Sequence, residues 1–224
     1  MIGEQVTIDA PNGAMQAYAA HVDGTPRPAV IVLPGVYGYD EQLRTWTATL
    51  ASFGFGGLAL DYLRGRDATA VAPADVRSDV AAAQDWLDRQ PWVRHGKLAV
   101  WGFGAGGGAA FLAATLPGLQ AAIAFYGQSI ARAPNGVAEN APLAHVKELR
   151  APLLLVFGGH DEQIGPAEIE AIRTELREAG KPHEIDVYPT VGHSFFREDL
   201  GTIASREIAD AWDRVLAFLR RCFA

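Results

Sequence analysis

A chain of 224 residues is long enough to bury a full hydrophobic core within one domain. Apolar residues make up 49% and charged residues 20%, an ordinary globular composition that excludes a disordered or collagen-like chain. The formal net charge of −7 argues against a nucleic-acid partner, since phosphate binding needs clustered Lys and Arg, and against docking on anionic membranes.

The opening "MIGEQVTIDA" has no basic start followed by an apolar stretch, and no apolar run approaches a membrane span, so a cytoplasmic protein is expected. Two alternating segments, "QVTID" and "MQAYAAHV", flank Asn12-Gly13, a strong hairpin signal. "PAVIVLP" (28–34) is a β-branched apolar run, as expected of a strand buried on both faces. A helix is predicted over 41–53, a strand over 56–61 and a helix over 72–90, where Pro73 suits a first turn. Then follow a strand (97–102), a helix (105–115), strands at 121–127 and 152–158, a helix (166–179) and a strand (183–189). The last helix, 203–220, carries one apolar stripe of Ile208, Trp212, Val215, Leu216 and Leu219. Residues 131–152 are the one long irregular piece, with a turn expected at Asn135-Gly136. Alternating strands and helices specify a mainly parallel sheet of about eight strands, covered by helices on both faces, in one α/β domain.

In such sheets ligands bind beyond the carboxyl ends of the strands. After "KLAVW" comes Gly102-Phe103-Gly104-Ala105-Gly106, with the glycine spacing of a nucleophile elbow but Gly104 where the reactive residue would stand. The Lys and Ser/Thr of a phosphate-binding loop are missing. After "PLLLVFGG" comes His160-Asp161, and after "HEIDVYPTVG" comes His193. Taken singly, each has a plain structural explanation: a tight turn, a helix N-cap, a core histidine. Together, at strand ends and in the order elbow, acid, histidine, they have the order of an α/β hydrolase. Asp161 would then fix the tautomer of His193, which would face the elbow. The remaining histidines show no ligand spacing for a metal, no dinucleotide fingerprint appears, and Cys222 lies in a helical pattern far from these motifs, so no cofactor and no metal are expected.

The segments "VIVLPGVYGYDEQLR", "LALDYLRGR", "WGFGAGG", "AFYG", "LLLVFGGHDEQI" and "YPTVGHSFFR" resemble the dienelactone hydrolase family across almost the whole chain. The resemblance implies a single α/β-hydrolase domain with no separate lid domain, and hydrolysis of small, often acidic, esters or lactones. It suggests that Arg197 and either Arg64 or Arg66 hold a substrate carboxylate, with Gly35, Tyr37 and Tyr126 lining the pocket. Two departures stand out: the family's nucleophile, Cys or Ser, corresponds to Gly104, and its strand-end glutamate to Gly35. The oxyanion hole survives both, being made of the backbone N–H groups of Val36 and Ala105. Tyr37, Tyr126, Ser129 and Ser194 lie near these motifs, but none is on the elbow.

Several readings stay open at this level. One is a hydrolase that uses water slowly, and another a hydrolase whose nucleophile was removed by mutation. The others are an isomerase, lyase or cyclase with His193 as acid and base, and a non-catalytic module that binds an ester, lactone or carboxylate. The partner expected in every case is a small molecule, and the chain a monomer or homodimer.

Overall fold

The computed structural model describes residues 1–133, 136–197, 199 and 204–224. The hairpin around Asn12-Gly13 forms from β1 (Ile2–Ile8) and β2 (Met15–His21), with Gly13 at φ 102°, a left-handed value that favours glycine. There follow β3 (Arg27–Leu33), α1 (Glu41–Ser52), β4 (Gly56–Leu60), α2 (Pro73–Asp88), β5 (Val93–Phe103), α3 (Ala105–Ala113) and β6 (Leu119–Phe125). The chain continues through β7 (Leu153–Gly158), α4 (Pro166–Glu178), β8 (His183–Tyr188) and α5 (Ser205–Phe223). The eight strands form one sheet in the order β1-β2-β4-β3-β5-β6-β7-β8. The β1–β2 and β2–β4 pairs are antiparallel, and all others are parallel.

Side-chain alternation along β5 shows how the two faces are covered. Trp101 and Phe103 point to one side, where Trp101 meets Trp212 of α5 and Phe103 stacks on Trp46 of α1. Gly102, between them, points to the other side, against the backbone of α3. The central strands are buried on both faces: residues 29–33 of β3 and 153–157 of β7 are fully enclosed. This is the doubly covered α/β architecture expected from the alternation of elements.

Boundaries differ in small ways. β5 starts at Val93 rather than 97, because Val93 pairs with Arg27 before the register shifts ahead of Ala29. α5 runs on to Phe223, whose ring is buried against Phe55. Its expected start at Ile203 lies outside the described residues, as does Asn135 of the expected turn. The irregular piece contains two 3-10 helices, Ala138–Asn140 and Pro142–Glu148. Among the described residues no helix is long and apolar enough to cross a membrane.

One ion pair ties the antiparallel edge to the rest. The Arg64 guanidinium donates to both carboxylate oxygens of Asp79 on α2, at 2.7 and 2.8 Å, and to the carbonyls of Gly13, Ala14 and Tyr62. The Asp79 side chain is fully buried. Arg64 has φ 51°, and its N–H is held by Asp61 Oδ1 at 2.9 Å. Arg64→Ala strands a buried carboxylate, which typically costs about 3 kcal/mol or more. A urea unfolding free energy lowered by that amount, with a lower midpoint at constant slope, is therefore expected, and a change under about 1 kcal/mol would mean that Asp79 is satisfied without Arg64.

Candidate active site

β5 ends at Phe103 and α3 begins at Ala105, so the whole reversal falls on Gly104, with φ 55° and ψ −120°. The turn is tight because backbone packs on backbone. A Cβ on Gly102 would stand 1.8 Å from the Gly106 carbonyl oxygen, and one on Gly106 would stand 2.4 Å from that of Pro34. Gly104 itself is not crowded. A Cβ there would meet Gln128 Oε1 at 3.4 Å and Gly35 Cα at 3.8 Å, ordinary contact distances. The obstacle to a side chain is the left-handed backbone, which costs about 1–2 kcal/mol for a non-glycine residue. Gly35 is the opposite case: a Cβ there would lie 2.6 Å from the Phe103 carbonyl oxygen, so the loop after β3 has no room for the acid that the family resemblance suggests.

The loops after β7 and β8 also meet backbone to backbone. A Cβ on Gly158 would lie 2.5 Å from the Val191 carbonyl oxygen. Gly159 N–H donates to Tyr188 O at 2.7 Å and His160 N–H to Val191 O at 2.9 Å. This contact brings together Asp161 and His193, which are 2.8 Å apart from Oδ2 to Nδ1. The Asp161 carboxylate is fully buried, and its Oδ1 accepts from the N–H groups of Gln163 (2.8 Å) and Ile164 (3.0 Å). Burial raises the Asp161 pKa, but hydrogen bonds from His193 and these N–H groups outweigh it and hold the carboxyl below its ordinary range. An ionised acceptor at Nδ1 places the proton there and leaves Nε2 as the imidazole's acceptor.

His193 lines a small cavity of about 20 Å³ together with Gly104, Gly35, Tyr126, Ser194 and Arg197. Tyr126 (φ 38°) presents its ring to His193, centroids 5.1 Å apart, and its buried hydroxyl has no protein partner among the described residues. Burial pushes that phenol's pKa well above its ordinary value. A second cavity, of about 410 Å³, opens on the other side of the elbow. Val36 and Gln128 line both. Ala105 borders the larger one as the first residue of α3, where an N–H has no intrahelical acceptor. The rest of that wall is mainly apolar, including Val71, Pro73, Val76, Ala109 and Leu112.

The three arginines expected to hold a substrate carboxylate each have carboxylate partners in the protein. Arg64 is spent on Asp79 and lines neither cavity. Arg66 is likewise absent from both walls, donating to the carbonyls of Tyr62 and Leu63 and pairing with Asp75 at 3.4 Å. Arg197 does border the small cavity, but Asp40 (2.7 Å) and Asp199 (2.5 Å) already neutralise it, and it lies over the Tyr37 ring at 4.2 Å. Asp40 also caps α1 through the Leu43 N–H. Arg197 thus clasps the histidine loop to the loop after β3. Tyr37 is half exposed at that loop's tip. Among the described residues no three His, Cys, Asp or Glu side chains gather as a metal site. Cys222 sits half-buried on α5, with its thiol pKa raised by burial.

Three residues beside the elbow escaped the sequence reading: Asp40, Gln128 and Gln163. Gln128 follows a strand end by three residues and could have been singled out on that ground. Its backbone N–H donates to Gly104 O at 2.9 Å, and its side-chain amide donates to Gln163 Oε1. The 67–73 wall of the larger cavity carries no motif and could not have been found.

The sequence profile of the "Dienelactone hydrolase family" matches residues 15–223. A Yersinia pestis protein described as "Putative carboxymethylenebutenolidase" is 31% identical over 95% of this chain and 85% of its own length. A Bradyrhizobium protein described as "Probable 2-oxo-3-(5-oxofuran-2-ylidene)propanoate lactonase" is 29% identical over 91% of this chain and 88% of its own. The crystal structure of a "Putative Dienelactone Hydrolase" from Klebsiella pneumoniae superposes with a TM-score of 0.89 at 28% identity, covering 98% of both chains. On sequence and on fold alike, the chain belongs to the dienelactone hydrolase family.

Proposed function

We propose that this protein hydrolyses a small uncharged ester or lactone by direct attack of water, without a covalent intermediate. The observation that carries the reading is the buried Asp161–His193 pair at 2.8 Å, bordering the same cavity as a turn that has no side chain. A cavity of about 20 Å³ holds a single water, which needs roughly 10–15 Å³ of such space. In this mechanism His193 Nε2 takes a proton from the water as its oxygen bonds to the substrate carbonyl carbon. The carbonyl oxygen becomes an oxyanion facing the N–H groups of Val36 and Ala105. The tetrahedral intermediate then expels the alkoxide, which receives the proton back from His193, giving acid and alcohol. Asp161 stabilises the imidazolium in between.

The rate is modest. Loss of a triad nucleophile costs about 10⁶ in rate, and the oxyanion hole with binding retains roughly 10³–10⁴ over water. The names of the relatives favour lactones, in both cases lactones that carry a carboxylate. The arginine pairings and the apolar wall of the larger cavity favour a substrate with no carboxylate of its own.

Three outcomes test this. His193→Ala lowers kcat on a neutral lactone by about 10²–10⁴, the usual contribution of a general base; an unchanged kcat would refute the mechanism. Gly104→Ser or Gly104→Cys produces a pre-steady-state burst and an acyl-enzyme visible by intact mass, while destabilising the fold by about 1–2 kcal/mol through the left-handed backbone. A matched pair of substrates, a lactone bearing a carboxylate and its methyl ester, shows the higher kcat/KM for the ester; preference for the free acid would restore the arginines to a binding role.

A further inference from the structure

We infer that Gln128 is the positioning residue that holds the attacking water over Gly104; this rests on the water-attack reading above. The Gln128 carboxamide reaches the elbow from the loop after β6. Its Oε1 lies 3.4 Å from where a Cβ on Gly104 would be, closer than any other atom outside the turn itself. A water occupying the space that a Cβ on Gly104 would fill stands at 3.4 Å, the outer limit of a hydrogen bond, from that oxygen. Gln128, Gly104 and His193 all line the same small cavity, and the buried Tyr126 hydroxyl, which has no protein partner among the described residues, belongs to the same wall. A water needs two to four polar partners, and this wall offers them.

The orientation of Gln128 is imposed by its neighbours. Its Nε2 donates to Gln163 Oε1, which turns its own Oε1 toward the elbow. The Gln163 N–H in turn donates to Asp161 Oδ1 at 2.8 Å, while Asp161 Oδ2 accepts from His193. The same carboxylate thus holds the imidazole directly and anchors the backbone of the residue whose side chain bonds the Gln128 carboxamide. Gln128 Oε1 accepts one O–H of the water and keeps it, and the other proton goes to His193 Nε2. One of the oxygen's two lone pairs is then directed at the carbonyl carbon. No proton moves to or from Gln128.

The test is Gln128→Met, which keeps the length and removes the acceptor. In the native Gly104 chain it lowers kcat on a neutral lactone about 10²-fold, the usual cost of misplacing a reacting group, with KM within about twofold. Gln128→Glu, which keeps an acceptor oxygen, recovers at least about tenfold of that loss. In the Gly104→Ser background the attacking atom is covalently held, so Gln128→Met leaves the burst rate of acylation within about threefold. Undiminished kcat in the native background overturns the inference. So does a burst slowed as much as native turnover, which would mark a general structural role. Native turnover that His193→Ala leaves unaltered would refute the water mechanism itself, and this assignment with it; that result is read without any Gln128 variant.

Discussion

Everything at this site depends on backbone meeting backbone where β5 turns into α3. Gly102 and Gly106 cannot carry a side chain without driving it into the carbonyls of Gly106 and Pro34. That constraint fixes the turn whatever residue stands between them. It explains how a chain with no reactive side chain at position 104 still has the sharp strand-to-helix reversal of a catalytic hydrolase, with the Ala105 N–H at the start of α3. Similar contacts at Gly158 and Gly35 draw the acid, histidine and first loops to the same point. The turn geometry therefore rests on Gly102 and Gly106 and needs no side chain at residue 104.

The polar network follows the same logic at longer range. Asp161 is fully enclosed and accepts three hydrogen bonds, from His193, Gln163 and Ile164, so its charge is stabilised without exposure to water. Arg197 is bound on both sides, by Asp40 at the start of α1 and by Asp199. The net effect is a site in which the cations are internally neutralised. For an acidic ligand to use Arg197 it would have to displace a carboxylate already in place, and desolvating such a pair is costly.

The fold was readable from the sequence because its signals are periodic and redundant. β-branched runs such as "PAVIVLP" name buried parallel strands, and the glycines around residue 104 name a close approach. The pairing of Asp161 with His193 was readable from order alone, since strand ends in a parallel sheet converge on one edge. The pairing of the arginines was not readable. "DYLRGR" and "GHSFFR" identify positions, but whether a guanidinium faces substrate depends on which carboxylates lie near it in space, and Asp79 and Asp40 are distant in sequence from the arginines they hold. Gln128 failed for a related reason: an amide carries no charge pattern or spacing rule, and only its contacts distinguish it. The wall at 67–73 is ordinary loop sequence whose position is set by the elements on either side.

The unequal size of the two hollows flanking the elbow has a stereochemical consequence. Under the proposed water attack, a flat acyl group lodged between them would put its bulk in the larger, mainly apolar hollow and turn one surface toward the imidazole. Addition would then occur from one direction only. A stereocentre next to the carbonyl would sit against the fixed wall of Val76, Ala109 and Leu112, so mirror-image substrates would be processed at different speeds.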